Sequence, residues 1–550
     1  MIINILKDIY FSMYLSQLFI KNLQKIVIVG GGSAGWMSAA ILIKFFPNHD
    51  ITVIESPDHP IIGVGESTLL GIRNYCSYLD LDESEFMKHT DASYKMSIKF
   101  TDFYEKDGGA FHYPFGQAVC SKKSINYFED WFFKKALYPD TPIEDFVQCY
   151  YPNAALYEQN KFTDNRHNKF DGWDPKYHVA YHFDATKFGI WLRENYCLPR
   201  GVKIIKTSVE SAEVDDDGIK HLLLKTGETV TSDLFVDCTG FKSLLLGDYL
   251  KEDFISYSDM LPNNRAWATR IQYKDKQKEL EPFTNSTAIG NGWIWNIPSW
   301  ERLGTGYVYS DKFISPEDAK EELKQHLMSD KMIVPRTREE VDALEFKDIP
   351  MRVGIHKRTF VKNVVAIGLS AGFIEPLESN GLFSVHEFLY RLVKTIAQGS
   401  INQFDIDVYN TATRIMFQNF AEFVALHYAF SKRNDTEYWK ANNARVYDKD
   451  MPNLVPTRSI GFADFAERKM FKNVFTVDTG LIWIATGMNH FIIDEITVKE
   501  IQWKQSQPLK SVYAQSFTDM ELNKARWHKA AENELSLCDW LEKHVHNQST

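Results

Sequence analysis

The chain has 550 residues, with 62 basic against 73 acidic side chains for a net charge of −11, and 44% of it is hydrophobic. This is the composition of a soluble globular protein, and its length is more than one compact core needs, so two structural modules are expected. The acidic balance argues against nucleic acid or an anionic membrane as partner, and no apolar run is long enough to span a bilayer.

Six cysteines lie scattered without a C-x-x-C spacing. They offer neither a disulfide framework nor a zinc signature, so a cytoplasmic location and no metal are expected. Met1 to Gln24 reads as a semi-apolar helix interrupted by Lys7, Asp8 and Lys21. It lacks the clean apolar run and cleavage site of a signal peptide, and is expected to pack on the body or to make an oligomer contact. From Ile26 the pattern is strand (Ile26–Val29), Gly-rich turn (Gly30–Gly35), apolar helix through Ile43, and strand (Ile51–Glu55), a βαβ opening. Strand-like runs recur at Lys203–Ile205, His221–Leu224, Leu234–Val236, Ala288–Ile297, Gly306–Tyr309 and Val364–Ile367. After Ile396 the chain turns mainly helical, and Thr518-x-x-Glu521 has capping-box spacing at the start of a last helical segment. The expected fold is α/β: a helical extension over 1–24, a Rossmann-like nucleotide-binding module with mixed sheets over 25–400, and a mainly helical module over 401–550 that covers the substrate site.

Gly30-Gly31-Gly32-Ser33-Ala34-Gly35 satisfies G-x-G-x-x-G. Its glycines permit a tight turn and let backbone N–H groups meet a pyrophosphate at a helix N-terminus. The string is weak alone, but it follows an apolar strand and opens a helix. Glu55, at the end of the next strand, is placed for a ribose hydroxyl. Two later elements, Leu234–Phe241 and Val364–Gly368, suit the seating of an extended FAD, although spacing alone leaves NAD open.

Gly292-Trp293-Ile294-Trp295-Asn296-Ile297-Pro298 would, by itself, read equally well as a strand with two rings on one face. With Gly63–Thr68, Tyr181–Asp184, Gly304–Tyr309, Asp435–Trp439 and Glu375-Pro376-Leu377-Glu378-Ser379, it resembles the flavin-dependent tryptophan halogenases over Lys25 to Asn443. The resemblance implies halogenation of an electron-rich aromatic by FADH2, O2 and a halide, with a separate flavin reductase supplying the reduced flavin. It places Gly30, Gly32, Ser33, Ala34, Gly35, Glu55, Ser67, Val209, Leu369 and Leu382 at the flavin. Trp293 and Trp295 then keep organic substrate away from the oxygen-charged flavin, and Gly63–Thr68 becomes a strap linking the flavin and substrate sites.

By the same resemblance Lys95 falls on the catalytic lysine, which either hydrogen-bonds hypohalous acid or forms a haloamine. Lys99 takes a structural role. The backbone amides of Asn380 and Gly381 hold the halide, at a loop feeding a helix N-terminus. Glu378 orients the oxidant or takes the proton lost from the ring. The sequence also departs from the family. Asn380 stands where tryptophan-specific members have Thr, which points to bromide or iodide over chloride. Tyr113 replaces the usual His, with His112 one place earlier, and such a shift on a strand reverses the facing. Tyr113 and Phe115 line the expected substrate cavity. Phe462–Met488 contains Phe471, Phe475 and Trp483 but not the family's grip on the amino acid. An indole or phenol other than free tryptophan is therefore expected. The rival readings are a flavin monooxygenase and a non-catalytic flavin-binding interaction protein. A homo-oligomer is compatible with each.

Overall fold

The computed structural model describes residues 18–21, 23–58, 66–120, 129–445, 480–489 and 510–547. The chain divides into two compact units, each assembled from three segments: 1–92, 183–258 and 351–418 in the first, and 93–182, 259–350 and 419–550 in the second. The single boundary expected near residue 400 is thus replaced by an interleaved one. Strands from the first, middle and later parts of the chain pair in two separate sheets, so neither core is contiguous in sequence.

The first unit is built on a six-stranded sheet in the order Lys203–Lys206, Asp50–Glu55, Lys25–Val29, Leu234–Asp237, Val364–Ala366, Phe360–Val361. All neighbours are parallel except the last pair. The inner strands are unbroken apolar runs because both faces are covered. In chain order this is the doubly wound arrangement, with its switch point between Lys25–Val29 and Leu234–Asp237. Helix Ser33–Phe45 is buried along Gly35–Ile43, and helix Gly381–Ile396 packs against it.

Leu18–Lys21, expected to be helical, is a strand paired antiparallel with Ser400–Asn402. Ladder bonds to that segment and burial of Ile20 override local helix preference. Residues 1–17 lie outside the described part.

The second unit carries a seven-stranded sheet in the order Lys347–Pro350, Arg265–Gln272, Arg302–Tyr309, Gly292–Pro298, Phe283–Ile289, Ser97–Thr101, Ala110–Pro114. Only Phe283–Ile289 and Ser97–Thr101 are parallel. The run Ala288–Ile297 is a hairpin rather than one strand. Ile289 pairs with Gly292, which leaves Gly290-Asn291 as a two-residue turn. Ile294, Tyr307 and Tyr309 pack on one face against Leu323 and Leu327 of helix Pro316–Met328. Alternation then sends Trp293 and Trp295 to the other face.

Helix Lys510–Ala531 packs on Asp145–Tyr150 and Ala154–Glu158. Thr518 is therefore in mid-helix rather than at its start, and its hydroxyl donates back to the Ala514 carbonyl at 2.9 Å. Glu521 pairs instead with Lys134 and with Lys524, and both lysines also reach the buried Asp145.

Arg336 and Glu279, each with a side chain only 3% exposed, form a buried ion pair. Glu279 further accepts from the Lys274 and Asp275 amides at 2.7 and 2.9 Å. Glu279→Ala leaves the guanidinium uncompensated and is expected to cost about 3–5 kcal/mol. Urea unfolding followed by tryptophan fluorescence measures the loss, and adding Arg336→Met is expected to recover most of it.

Candidate active site

The glycine turn sits at the switch point of the first unit. Gly30 has φ +116°, and a Cβ there would lie 2.2 Å from the Cys238 carbonyl oxygen. A Cβ on Gly35 would lie 1.8 Å from the Gly30 carbonyl oxygen. At Gly32, by contrast, an added Cβ meets nothing within 4 Å, so its backbone is open to approach. The Ser33 hydroxyl donates to Ala185 O at 2.8 Å, and Ala34 packs under Gly368, next to Leu369 in the Gly368–Ser370 turn. These residues fit a pyrophosphate at the N-terminus of Ser33–Phe45.

Glu55 ends its strand as expected, but its carboxylate already accepts from Trp36 Nε1 at 3.1 Å and pairs with Arg193 at 3.1 Å. A ribose hydroxyl bound there would share it with a cation. Val209 follows Ser208, whose hydroxyl lies 2.8 Å from that of Ser56, so this strand start reaches the end of the Glu55 strand.

In the same unit the strap's described end, Glu66–Thr68, lies at the start of helix Gly381–Ile396; Gly63–Gly65 fall outside the described residues. Ser67 Oγ is 3.0 Å from Ser379 Oγ. Ser379 adopts a left-handed φ of +59° and turns the chain between Pro376–Glu378 and the helix. Glu375 and Glu378 are both buried. Asn380 occupies the N-cap position, and its side chain makes no capping hydrogen bond to the first turn. Leu382 is buried in that first turn.

Lys95 belongs to the second unit. It is fully buried, on strand Ser93–Lys95, and its Nζ lies 5.1 Å from the Phe115 ring centroid. Ser93 shares its face two residues earlier and pairs with His182 in the neighbouring strand. The Ser93 hydroxyl donates to the Pro298 carbonyl, at the end of the strand bearing Trp293 and Trp295. Its oxygen, 3.3 Å from His182 Nδ1, is therefore left to accept. This assigns the proton to Nδ1 and leaves Nε2 to accept from Thr284 Oγ1 at 2.9 Å. Burial, reinforced by the nearby Lys95 charge, holds the His182 pKa well below the ordinary imidazole value. Lys99 lies on a different strand, 5.6 Å from the Phe283 ring centroid.

Tyr113 and His112 do face opposite ways. Ser97 Oγ is 2.9 Å from His112 Nδ1, and the His112 ring stacks on Tyr157 at 4.4 Å. Tyr113 stacks on Trp483 at 5.9 Å and meets Phe115 and Phe423 edge-on at 6.2 and 6.4 Å. Lys95, Phe115, Tyr113 and Trp483 are thus brought together, while Phe471 and Phe475 lie outside the described residues. Trp293 and Trp295 meet edge-on at 6.2 Å, and Trp295 occupies space available only because residue 306 is glycine.

Sequence reasoning assigned no role to Ser93 or Thr284, and included His182 and Gly306 only within the family-like segments Tyr181–Asp184 and Gly304–Tyr309. The two-residue spacing of Ser93 and Lys95 on a strand was the available signal. The partners of His182 are far apart in the chain and left none.

Burial depresses the pKa of His112 and His182, and brings His326 and His386 down to about 4. Each folded value lies below the unfolded one of about 6.5, so the unfolded chain takes up protons first as pH falls. Melting temperature is expected to hold above pH 6.5 and to decline progressively toward pH 4, as a calorimetric series would show. Gly306→Val is expected to displace Trp295, since even a Cβ would come within 2.2 Å of its ring; near-UV circular dichroism and a red-shifted emission report that change.

The family described as tryptophan halogenase matches residues 25–488. Tryptophan 6-halogenase SttH of Streptomyces toxytricini is 36% identical over 446 residues, covering 78% of this chain and 82% of that protein. Among solved structures, VirX1 aligns with TM-score 0.85 at 34% identity, over 95% of this chain and 100% of that one. Tar14, a tryptophan C-6 flavin-dependent halogenase (chlorinase) from taromycin biosynthesis, aligns with TM-score 0.80 at 28% identity, over 94% and 99%.

Proposed function

Since this chain belongs to the tryptophan halogenase family, we propose that it is the flavin-dependent halogenase of an indole or phenol other than free tryptophan, preferring bromide or iodide to chloride. The observation that carries the reading is the fully buried Lys95 beside Phe115, with Tyr113 and Trp483 forming an aromatic wall. A desolvated ammonium among rings can polarise a small neutral oxidant and present it to a stacked aromatic.

Gly30, Gly32, Ser33, Ala34 and Gly35 hold the FAD pyrophosphate, Glu55 a ribose, and Ser67, Val209, Leu369 and Leu382 the remainder of the cofactor. Bound as FADH2 and given O2, the flavin supplies the oxidising oxygen that converts halide to hypohalous acid; a separate reductase renews it. The amides of Asn380 and Gly381 bind the halide at the positive end of their helix. Lys95 donates a hydrogen bond to the hypohalous acid, and Glu378 accepts the proton that leaves the ring. Trp293 and Trp295 exclude the aromatic substrate from the flavin side. The stacked Tyr113 and Trp483 favour a flat neutral ring. On that face of the strand the phenol of Tyr113, rather than the imidazole of His112, stands against the Trp483 ring.

The test supplies FAD, a generic flavin reductase, NADH and each halide to the protein with a panel of indoles and phenols. Halogenated product is expected, reduced at least 100-fold by Lys95→Ala or Glu378→Gln, in the range of lost acid–base catalysis. Hydroxylated product, or undiminished halogenation by Lys95→Ala, would overturn the reading. In mixed halide, brominated or iodinated product is expected to dominate. Chloride dominance, or efficient single-position turnover of free tryptophan, would remove the corresponding part of the proposal. Gly35→Ala is expected to weaken FAD binding more than tenfold in a fluorescence titration, because its Cβ invades the turn.

A further inference from the structure

Glu66 is the first described residue of the strap, just before Ser67 and Thr68. A Cβ placed on Gly381 would sit 3.5 Å from Glu66 Oε2, so this carboxyl faces the first residue of helix Gly381–Ile396. The contact between Ser67 and Ser379 holds the strap there. In the reading above, the halide binds to the amides of Asn380 and Gly381, at the same helix end. A helix N-terminus favours one negative charge close by; a second anion beside the first is opposed by direct repulsion, undiminished by water where both are partly buried. Ionised Glu66 and bound halide therefore compete for one electrostatic site.

The surrounding charges do not relieve this competition. Asp184, the N-cap of Ala185–Trp191, adds negative potential at Glu66. Glu375 and Glu378 are buried in the loop that enters the helix. His386, further along the same helix, is kept neutral by burial, with a pKa of about 4. Burial first, and Asp184 second, push the Glu66 carboxyl up to about 7, so its proton is exchangeable near neutral pH.

We infer that Glu66 is a proton-operated gate on the halide site: protonated Glu66 admits the halide to the Asn380–Gly381 amides, and ionised Glu66 excludes it. The inference rests on the halide reading of that helix terminus. By linkage, binding takes up a proton wherever free Glu66 is ionised. Apparent halide affinity is then flat below the gate's midpoint and falls about tenfold per pH unit above it.

The experiment is isothermal titration of iodide into the flavin-free full chain, in halide-free buffers of different ionisation enthalpy, at pH 6, 7 and 8. Wild-type protein is expected to take up little proton at pH 6 and close to one per iodide at pH 8, with weaker binding at the higher pH. Glu66→Gln is expected to bind with no proton uptake and with an affinity independent of pH. Iodide binding by wild type without proton uptake overturns the gate, as does uptake that persists in Glu66→Gln. The wild-type measurement decides the matter even if the variant folds poorly. Absence of iodide binding at every pH instead overturns the halide reading of Asn380–Gly381, and the gate with it.

Discussion

Lys95 carries an ammonium group with no exposed surface, and removing such a group from water costs several kcal/mol unless its surroundings recover the loss. The same constraint shapes the rest of its unit. Arg336 is buried only because Glu279 meets it, and Asp145 only because Lys134 and Lys524 do. Beside Lys95 stand an aromatic ring and an imidazole. The Phe115 ring centroid lies 5.1 Å from its Nζ, and burial keeps the His182 imidazole neutral, with its two ring nitrogens beside Ser93 and Thr284. A neutral imidazole adds no repulsion to the lysine beside it, while its two bonds tie the lysine's sheet to Thr284 and, through Ser93, to the end of the strand that carries the two tryptophans.

In the other unit the constraint is steric before it is electrostatic. The chain at Gly30 passes so close to the Cys238 carbonyl that no side chain fits, and Gly35 in turn lies against Gly30. This close approach lets the Lys25–Val29 and Leu234–Asp237 strands end together, with the N-terminus of Ser33–Phe45 left open beside them. Helix Gly381–Ile396 repeats the device with a different ligand in prospect. Its N-cap side chain does not cap it, the strap from Glu66 to Thr68 lies across its start, and the left-handed Ser379 sets its direction. Two helix N-termini, those of Ser33–Phe45 and Gly381–Ile396, thus lie within this one unit, and neither is capped by its N-cap side chain. The carboxyl of Glu66 stands beside the second of them.

The tryptophan halogenase family covers most of this chain. Within the second unit, the role open to two neighbouring residues depends on facing. Tyr113 points toward Trp483 and Phe423, whereas His112 points toward Tyr157 and Ser97. Neighbouring positions of this strand thus present an imidazole to one side and a phenol to the other.

By itself the sequence determined the βαβ opening, the glycine turn, the alternation that puts Trp293 and Trp295 on one face, and the reversal of His112 and Tyr113. Each of these depends on contacts a few residues apart, or on a period of two or 3.6 that local spacing reveals. Only the tertiary structure decided that Leu18–Lys21 is a strand, that Thr518 lies inside a helix, and that the chain divides into interleaved units rather than at residue 400. It likewise decided that Ser93, His182 and Thr284 are linked in one chain of hydrogen bonds and that Glu66 faces Gly381. Those outcomes rest on partners separated by about 90 to more than 300 positions, or on packing of elements remote in sequence, and such partners leave no periodic trace. Local propensity yields wherever a distant strand or a buried charge offers the larger gain in free energy.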